Sequence, residues 1–178
     1  MVQSIKVCVT KKSNIKIKAY ADASHLVYDD CRGQSGILIY IGDSIIDSSS
    51  KRQNITAQSS TEAELICLSS TVNSVLWTKH LLEELGFPQQ ECIIYQDNQS
   101  CIQMGQTGKL TNRTKHLGMR YFNVYDNYKL KNIALEYTPA ENMRADFLTK
   151  PLGPSMFTAA RDNVMIDIND REERNIKE

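Results

Sequence analysis

The chain has 178 residues, of which 41% are hydrophobic and 24% are charged, and its formal net charge at pH 7 is zero. A chain of this length supports one hydrophobic core and is too short for two comfortable domains. A net charge of zero excludes a global field that would attract nucleic acid or an anionic membrane, so any such affinity has to come from local patches.

The cysteine pattern and the absence of long apolar runs indicate which kind of protein to expect. Five cysteines show no CxxC spacing: Cys8, Cys31, Cys67, Cys92 and Cys101. The odd number of cysteines and the absence of CxxC spacing argue against a disulfide framework and a zinc site, and they favour a reducing compartment. The sequence also lacks an apolar run of about 18 residues and a signal-peptide core. We therefore expect an intracellular protein with a single domain.

The first part of the chain has the patterns of three consecutive strands. Residues 15–21 alternate apolar and polar side chains and lead to Asp22, which predicts a half-buried strand. Residues 36–42, GILIYIG, are an apolar run between glycines. Residues 43–53 predict a weaker third strand after a hairpin-like turn. Strands joined by such short turns are typical of an antiparallel meander.

The apolar period then changes to that of a helix over residues 59–87. Ser59 and Glu62 fit a capping box at its start. Gly86 and Pro88 favour a stop at its end. Farther along, the patterns predict a strand over CIIYQ, a short helix over NQSCIQMGQ, a helix over residues 113–132, a strand over IALEYTP and a short final helix over AENMRADFLTKPL.

The predicted element order is β-β-β-α-β-α-α-β-α. Three antiparallel strands, followed by strands that are reached through helices, predict an α/β fold with a mixed five-stranded sheet flanked by helices. We expect the domain to span residues 15–152. Residues 1–14 would be an N-terminal extension, and residues 153–178, which end in the charge run DINDREERNIKE, a partly disordered C-terminal tail.

Four acidic residues fall at comparable places in this scheme, at strand ends or in helices that can reach the same edge of the sheet: Asp22, Glu64, Asp97 and Asp146. The first and fourth strands would be neighbours, so Asp22 and Asp97 are expected to meet. Taken alone, Asp97 is also explained as a turn residue or as a helix N-cap.

Carboxylates that pack together repel one another and need cations nearby to stay ionised. Oxygen ligands without cysteine or histidine suit Mg²⁺ or Mn²⁺ rather than zinc. Two such ions about 4 Å apart clamp the attacking and leaving oxygens of a phosphodiester. The residue types at this predicted cluster therefore indicate phosphodiester chemistry with two divalent cations.

Several ordered motifs resemble a known family. YADASH, STEAEL, YQDNQS, RTKHLGMRYF and LEYTPAENMRADFLTKPL are similar to segments of the ribonuclease H domain at the C-terminal end of copia-type retrotransposon polyproteins. The similarity runs from about Ala19 to Leu152. It implies a ribonuclease H-like fold and endonucleolytic hydrolysis of the RNA strand of RNA–DNA hybrids by a two-metal-ion mechanism, with Mg²⁺ or Mn²⁺ and no small-molecule cofactor.

Carried over by position, the resemblance implies four catalytic metal ligands: Asp22, Glu64, Asp97 and Asp146. Glu62 competes with Glu64, but the family's AEL tripeptide matches residues 63–65, and Glu62 is explained as the capping-box acid. Glu141 is the alternative to Asp146 as the fourth ligand. We prefer Asp146 because the ADFLTKP sequence around it resembles the motif of the family.

The resemblance also implies contacts to nucleic acid. In related domains, polar residues just before the helix glutamate contact the 2′-hydroxyl, and here these positions hold Ser59, Ser60 and Thr61. Asn98, beside Asp97, is placed to touch the nucleic-acid backbone. Helix capping explains Ser59 and Asn98 at least as well.

A basic stretch is the second candidate for nucleic-acid contact. Residues 109–131 carry six lysines and arginines against one acid. Four of its residues have spacings that can share one side of a helix and hold phosphates: Arg113, Lys115, His116 and Arg120. A solvated basic face is the alternative. Many cellular ribonucleases H carry a histidine in the loop before the last helix, but TPAEN has none, which makes His116 the preferred histidine here.

Two other functions fit parts of the pattern. Integrases and transposases share the fold class, but Glu136, the acid nearest to their third carboxylate, falls in a predicted strand. The stronger alternative is a non-catalytic, stranded or domesticated retrotransposon fragment that acts as a nucleic-acid-binding or scaffold domain. The expected partners are an RNA–DNA hybrid and the reverse transcriptase of the same polyprotein, without a membrane, in the cytoplasm, a virus-like particle or the nucleus.

Overall fold

Five strands form one mixed sheet in the structure, a computed structural model that describes residues 15–108 and 115–164. They are β1 (Ile17–Ser24), β2 (Gln34–Ile41), β3 (Ser44–Arg52), β4 (Cys92–Gln96) and β5 (Ile133–Tyr137). Their order across the sheet is β3-β2-β1-β4-β5. β1, β2 and β3 pair antiparallel, whereas β4 runs parallel to β1 and β5 parallel to β4. The predicted mixed five-stranded sheet is confirmed.

Helices cover the sheet. They are α1 (Ser60–Glu84), α2 (Gln99–Thr107), α3 (Gly118–Lys129) and α4 (Pro154–Val164), with single 3₁₀ turns at Lys115–Leu117, Ala140–Asn142 and Asp146–Leu148. In the described part of the chain, none of these helices is both long and apolar enough to cross a membrane.

The two faces of the sheet bury separate apolar clusters. On the first face, small β1 residues such as Ala19 and Ala21 leave room for Leu65 and Leu68 of α1, and α2 and α3 extend this larger cluster. On the second face, β2 contributes Leu38 and Tyr40, which pack with Met143, Ala145 and Val164. The segment of residues 140–149, called here the 3₁₀ segment, therefore lies on the opposite face of the sheet from α1.

Helix α1 begins and ends where its sequence signals predict. The Ser59 hydroxyl accepts a hydrogen bond from the Glu62 amide at 3.2 Å, and the Glu62 carboxylate accepts one from the Gln58 amide at 2.8 Å. This is a capping box shifted by one residue, since the acid reaches the residue before the cap. At the other end, Gly86 has a φ of 85° and the Phe87 amide donates to the Leu82 carbonyl, which closes the helix in a Schellman motif.

Three predicted features of the chain differ from the structure. The short final helix predicted over AENMRADFLTKPL is wrong, because the segment forms two 3₁₀ turns. Its shape is set by contacts across the sheet, among them a 2.6 Å hydrogen bond from the Ser50 hydroxyl to the Leu148 carbonyl. Helix α3 begins at Gly118 rather than at residue 113, and residues 109–114 lie outside the described chain. Helix α4 is an element that the sequence analysis assigned to the tail.

Gly36 lets the 3₁₀ segment approach β2 closely. A Cβ atom at this position would lie 2.7 Å from Cγ2 of Thr149 and 2.9 Å from Cβ of Leu148. These distances are shorter than ordinary van der Waals contact, so even a methyl group would displace the segment.

We predict that Gly36→Ala lowers the free energy of unfolding by about 1–3 kcal/mol, the usual cost of overpacking. Urea denaturation followed by circular dichroism measures this loss. The matched control is Gly153→Ala, since nothing among the described residues lies within 4 Å of a Cβ at that position. Equal stability of the two variants would show that the 3₁₀ segment does not depend on the small residue in β2.

Candidate active site

Three carboxylates converge at the edge of the sheet where β1 and β4 end. Asp22, Glu64 and Asp97 can each offer one oxygen, and these oxygens lie within 4.8 Å of one another. The register of the parallel pair explains two of them. Tyr20 is aligned with Tyr95, so the residues two positions later, Asp22 in β1 and Asp97 directly after β4, are brought to the same place. We name these three residues the acidic trio.

Asp22, contributed by β1, is only 3% exposed. Burial is the main cause that raises the pKa of its carboxyl, and the negative charges of Asp97 and Asp146 raise this pKa further. A hydrogen bond donated by the Thr149 hydroxyl acts in the opposite direction by stabilising the ionised form. Asp22 is thus a buried acid held in one orientation by a neutral donor.

Glu64 comes from the first turns of α1 and is 5% exposed. Burial, followed by repulsion from Asp22 and Asp97, raises its pKa to about 9. Its carboxylate accepts a 3.2 Å hydrogen bond from the side-chain amide of Gln96. The carbonyl oxygen of the same Gln96 side chain accepts from the Asp97 amide at 2.8 Å, so one fully buried glutamine connects two members of the trio.

Asp97 is not the cap of the helix that follows it. The N-cap of α2 is Asn98, whose side-chain oxygen accepts a 3.0 Å hydrogen bond from the Cys101 amide. The Asp97 carboxyl is half-buried, and burial is the main cause that raises its pKa. Because Asn98 performs the capping, the Asp97 side chain remains directed to the trio.

Asp146 lies beside the trio rather than within it. It begins the last 3₁₀ turn and forms an ion pair with Lys150. Its charge nevertheless raises the pKa of both Asp22 and Asp97, so its carboxylate faces the same space. The role of Asp146 as a ligand stays a prediction.

The competing acids have other contacts. The Glu62 carboxylate is bound to the Gln58 amide and lies 3.5 Å from the imidazole Nε2 of His116, and it is not a member of the trio. Glu141 is exposed in the turn Ala140–Asn142. Glu136 lies in β5 with its side chain exposed, which does not match the helical acid of a strand-transfer enzyme.

Some of the predicted nucleic-acid contacts lie in or just before α3, and others lie at the start of α1. Ser59 is engaged as its N-cap, whereas Ser60 is exposed and Thr61 half-buried in the first turn. The His116 side chain is 41% exposed and Arg120 is partly exposed. Arg113 lies outside the described residues, and the backbone of Lys115 belongs to the short turn before α3.

The donor set of the trio fits a hard divalent cation. Its oxygens are close together and mostly buried, and burial, together with repulsion from neighbouring carboxylates that include Asp146, raises the pKa of each acid. A divalent cation relieves this repulsion and replaces lost hydration with oxygen ligands. The same arrangement offers neither sulfur nor imidazole, which are the preferred ligands of zinc.

Three residues of the site were missed by the sequence analysis: Gln96, Thr149 and Lys150. Each stands next to a predicted ligand or in the same turn, and each binds an acidic side chain. The only signal in the sequence was this adjacency, within YQDNQS and ADFLTKPL. Their partners are defined by tertiary contacts that local patterns do not report.

We predict that the metal-free protein loses stability as the pH rises. The folded protein holds a proton on Glu64 up to a pKa of about 9, whereas the ordinary pKa of a glutamate is 4.5. The stabilising contribution of this proton is therefore complete below pH 4.5 and is lost as the pH rises towards about 9. Urea denaturation in the presence of a chelator, at several pH values across this window, measures the slope of the free energy of unfolding against pH. Glu64→Gln should flatten it, and the exposed control Glu84→Gln should not; equal slopes for all three proteins would contradict the prediction.

Comparison with known sequences shows what the chain resembles. No family model matches it. It is 33% identical over 157 residues to the retrovirus-related Pol polyprotein from transposon TNT 1-94 of Nicotiana tabacum, which covers 86% of this chain and 12% of the polyprotein. It is 31% identical over 150 residues to the corresponding polyprotein from transposon RE1 of Arabidopsis thaliana, and this match covers 83% of this chain and 10% of the polyprotein. The chain therefore spans about a tenth of the length of these relatives.

Comparison with solved structures concerns the fold. LC11-RNase H1 in complex with an RNA/DNA hybrid has a TM-score of 0.57 at 17% identity, covering 75% of this chain and 94% of that one. The N-terminal RNase H domain of Rv2228c from Mycobacterium tuberculosis has a TM-score of 0.55 at 16% identity, and the match covers 85% of this chain and 100% of that domain. The chain is thus a homologue of one segment of retrovirus-related transposon Pol polyproteins, and its fold is that of ribonuclease H domains.

Proposed function

We propose that this chain hydrolyses the RNA strand of RNA–DNA hybrids, as the ribonuclease H part of a transposon polyprotein. The observation that carries the proposal is the acidic trio at the end of β1 and β4, with Asp146 beside it. The sequence relatives and the ribonuclease H fold support it. The hybrid bound to LC11-RNase H1 supports the choice of substrate.

Asp22, Glu64, Asp97 and Asp146 would hold the metal ions. When bound, two Mg²⁺ or Mn²⁺ ions would supply Lewis-acid chemistry at the scissile phosphate. The protein fixes the carboxylates before any ion arrives: the Gln96 amide holds Glu64, and the Thr149 hydroxyl holds Asp22. Hydrogen bonds donated to ligand carboxylates in this way fix their orientation and reduce the reorganisation needed during reaction.

The start of α1 is suited to reading the substrate backbone. Ser60 and Thr61 lie in the first turn, close in sequence to Glu64, and their side chains are not buried. Unpaired amides at a helix N-terminus favour anions such as phosphate. Because the Ser59 hydroxyl already caps the helix, Ser60 and Thr61 are the better candidates for contact with a 2′-hydroxyl.

The basic residues before and within α3 would hold the phosphate backbone. His116 contacts Glu62, so the beginning of this stretch lies beside the first turn of α1, the helix that carries Glu64. Arg120 follows one helical turn later and is partly exposed. Contacts of this kind give affinity without sequence preference, and they weaken as salt rises.

We predict that Asp97→Asn abolishes hybrid cleavage without unfolding the protein. The change keeps the size of the side chain, and α2 keeps its cap because Asn98 supplies it. Loss of one charged ligand costs several kcal/mol of transition-state stabilisation, so the cleavage rate in Mg²⁺ should fall by about a hundredfold or more. Gel analysis of a labelled hybrid measures the rate, and thermal melting checks the fold.

The control for this experiment is Asp47→Asn, which changes an exposed acid on the edge strand β3. This variant should cleave the hybrid at the wild-type rate. A wild-type chain that binds hybrid in Mg²⁺ but does not cut it would instead support the alternative, a non-catalytic binding domain. An Asp97→Asn variant that melts normally and cuts like the wild type would remove Asp97 from the site.

We predict that Arg120→Gln weakens hybrid binding uniformly across sequences. If Arg120 neutralises one phosphate, the slope of log affinity against log salt should decrease in magnitude by about one. Fluorescence anisotropy with a labelled hybrid over a salt series measures the slope. Arg161→Gln is the matched control, because Arg161 pairs with Asp162 on α4; an unchanged slope for Arg120→Gln would exclude the phosphate contact.

A further inference from the structure

Lys150 places a positive charge at the edge of the carboxylate cluster. Its ammonium group forms an ion pair with the Asp146 carboxylate four residues earlier. The preceding residue, Thr149, is hydrogen-bonded to Asp22, which holds this part of the chain against the trio. The ammonium also interacts favourably with the charges of Asp22 and Asp97.

We propose that Lys150 is a tethered counter-ion of this cluster, which competes with divalent cations for the carboxylates and weakens their binding. The inference rests on the proposed function, because it assumes that the cluster binds metal. It assigns to Lys150 a role in regulating the occupancy of the metal site, with no direct part in the reaction.

The competition follows from charge and from the freedom of the side chain. An ammonium group supplies one positive charge to a group of acids that repel one another, whereas a divalent cation supplies two and accepts several oxygens at once. Because the Lys150 side chain is 55% exposed, its flexible stem can carry the ammonium into solvent when a cation binds Asp146. The backbone need not move, since Thr149 anchors it to Asp22.

A purely structural role for Lys150 makes different predictions. If the ion pair orients Asp146 for metal binding, loss of the ammonium should weaken metal binding. If it is an ordinary surface ion pair, it contributes little, and metal binding should not change. Only a competitor gives tighter binding when it is removed, so the sign of the change distinguishes the three roles.

The test is calorimetric titration of the full chain with Mg²⁺ and with Mn²⁺, for the wild type and for Lys150→Gln. We expect about tenfold tighter binding for Lys150→Gln, the order expected from removing one charge a few ångströms from a divalent cation in a partly solvated site. Lys150→Arg keeps the charge and should bind like the wild type. Lys16→Gln removes an exposed lysine just before β1, at the end of the strand far from Asp22, and controls for net charge.

Thermal melting supplies a second readout. Without metal, Lys150→Gln should melt below the wild type, because the acids lose their counter-ion, and saturating Mg²⁺ should remove the difference. Equal or weaker metal binding by Lys150→Gln overturns the inference while the proposed metal site stands. Absence of metal binding by the wild type and the variant alike overturns both the inference and the proposed function.

Discussion

The parallel pairing of β1 with β4 is the constraint on which the candidate site depends. Parallel neighbours end at the same edge of a sheet, and alignment of Tyr20 with Tyr95 brings Asp22 next to Asp97. An antiparallel arrangement would separate these acids by the length of a strand. The long connection through α1 makes the parallel pairing possible, and the same helix delivers Glu64 to this edge. One topological choice therefore assembles the trio.

Assembling the trio has a cost in stability that the surrounding residues only partly offset. Burial and mutual repulsion both disfavour the ionised forms, and the pKa of Glu64 rises to about 9 as a result. The hydrogen bonds from Gln96 and Thr149 oppose this effect without removing it. Native structures retain such groups where function needs them, and here the unfavourable charge is what a cation would relieve. The feature that destabilises the metal-free fold is thus the feature that would give the proposed site its affinity for a cation.

Much of the fold could be predicted because it depends on local patterns. CIIYQ was predicted as a strand and is β4 residue for residue, and the signals at Ser59 and Gly86 bound α1. The final helix was wrong because residues 140–149 take their shape from contacts with β2 through Gly36 and with β3 through Ser50. The acids of the trio were identified from their places and from the family's motifs. Gln96 and Lys150 were missed because their importance lies in partners that are distant in sequence or in a turn whose geometry was mispredicted.

The site residues that come from the two faces of the sheet differ in how rigidly the fold holds them. Glu64 is fixed by α1, which belongs to the larger apolar cluster on the first face. Asp146 and Thr149 belong to the 3₁₀ segment, and Lys150 follows it directly. This segment packs on the smaller cluster of the second face, through short turns and a close approach to Gly36. A segment with few buried apolar contacts opens more readily than a long buried helix. Adjustment of the candidate metal site is therefore expected on the side of the 3₁₀ segment, while Glu64 is held by the more rigid part of the fold.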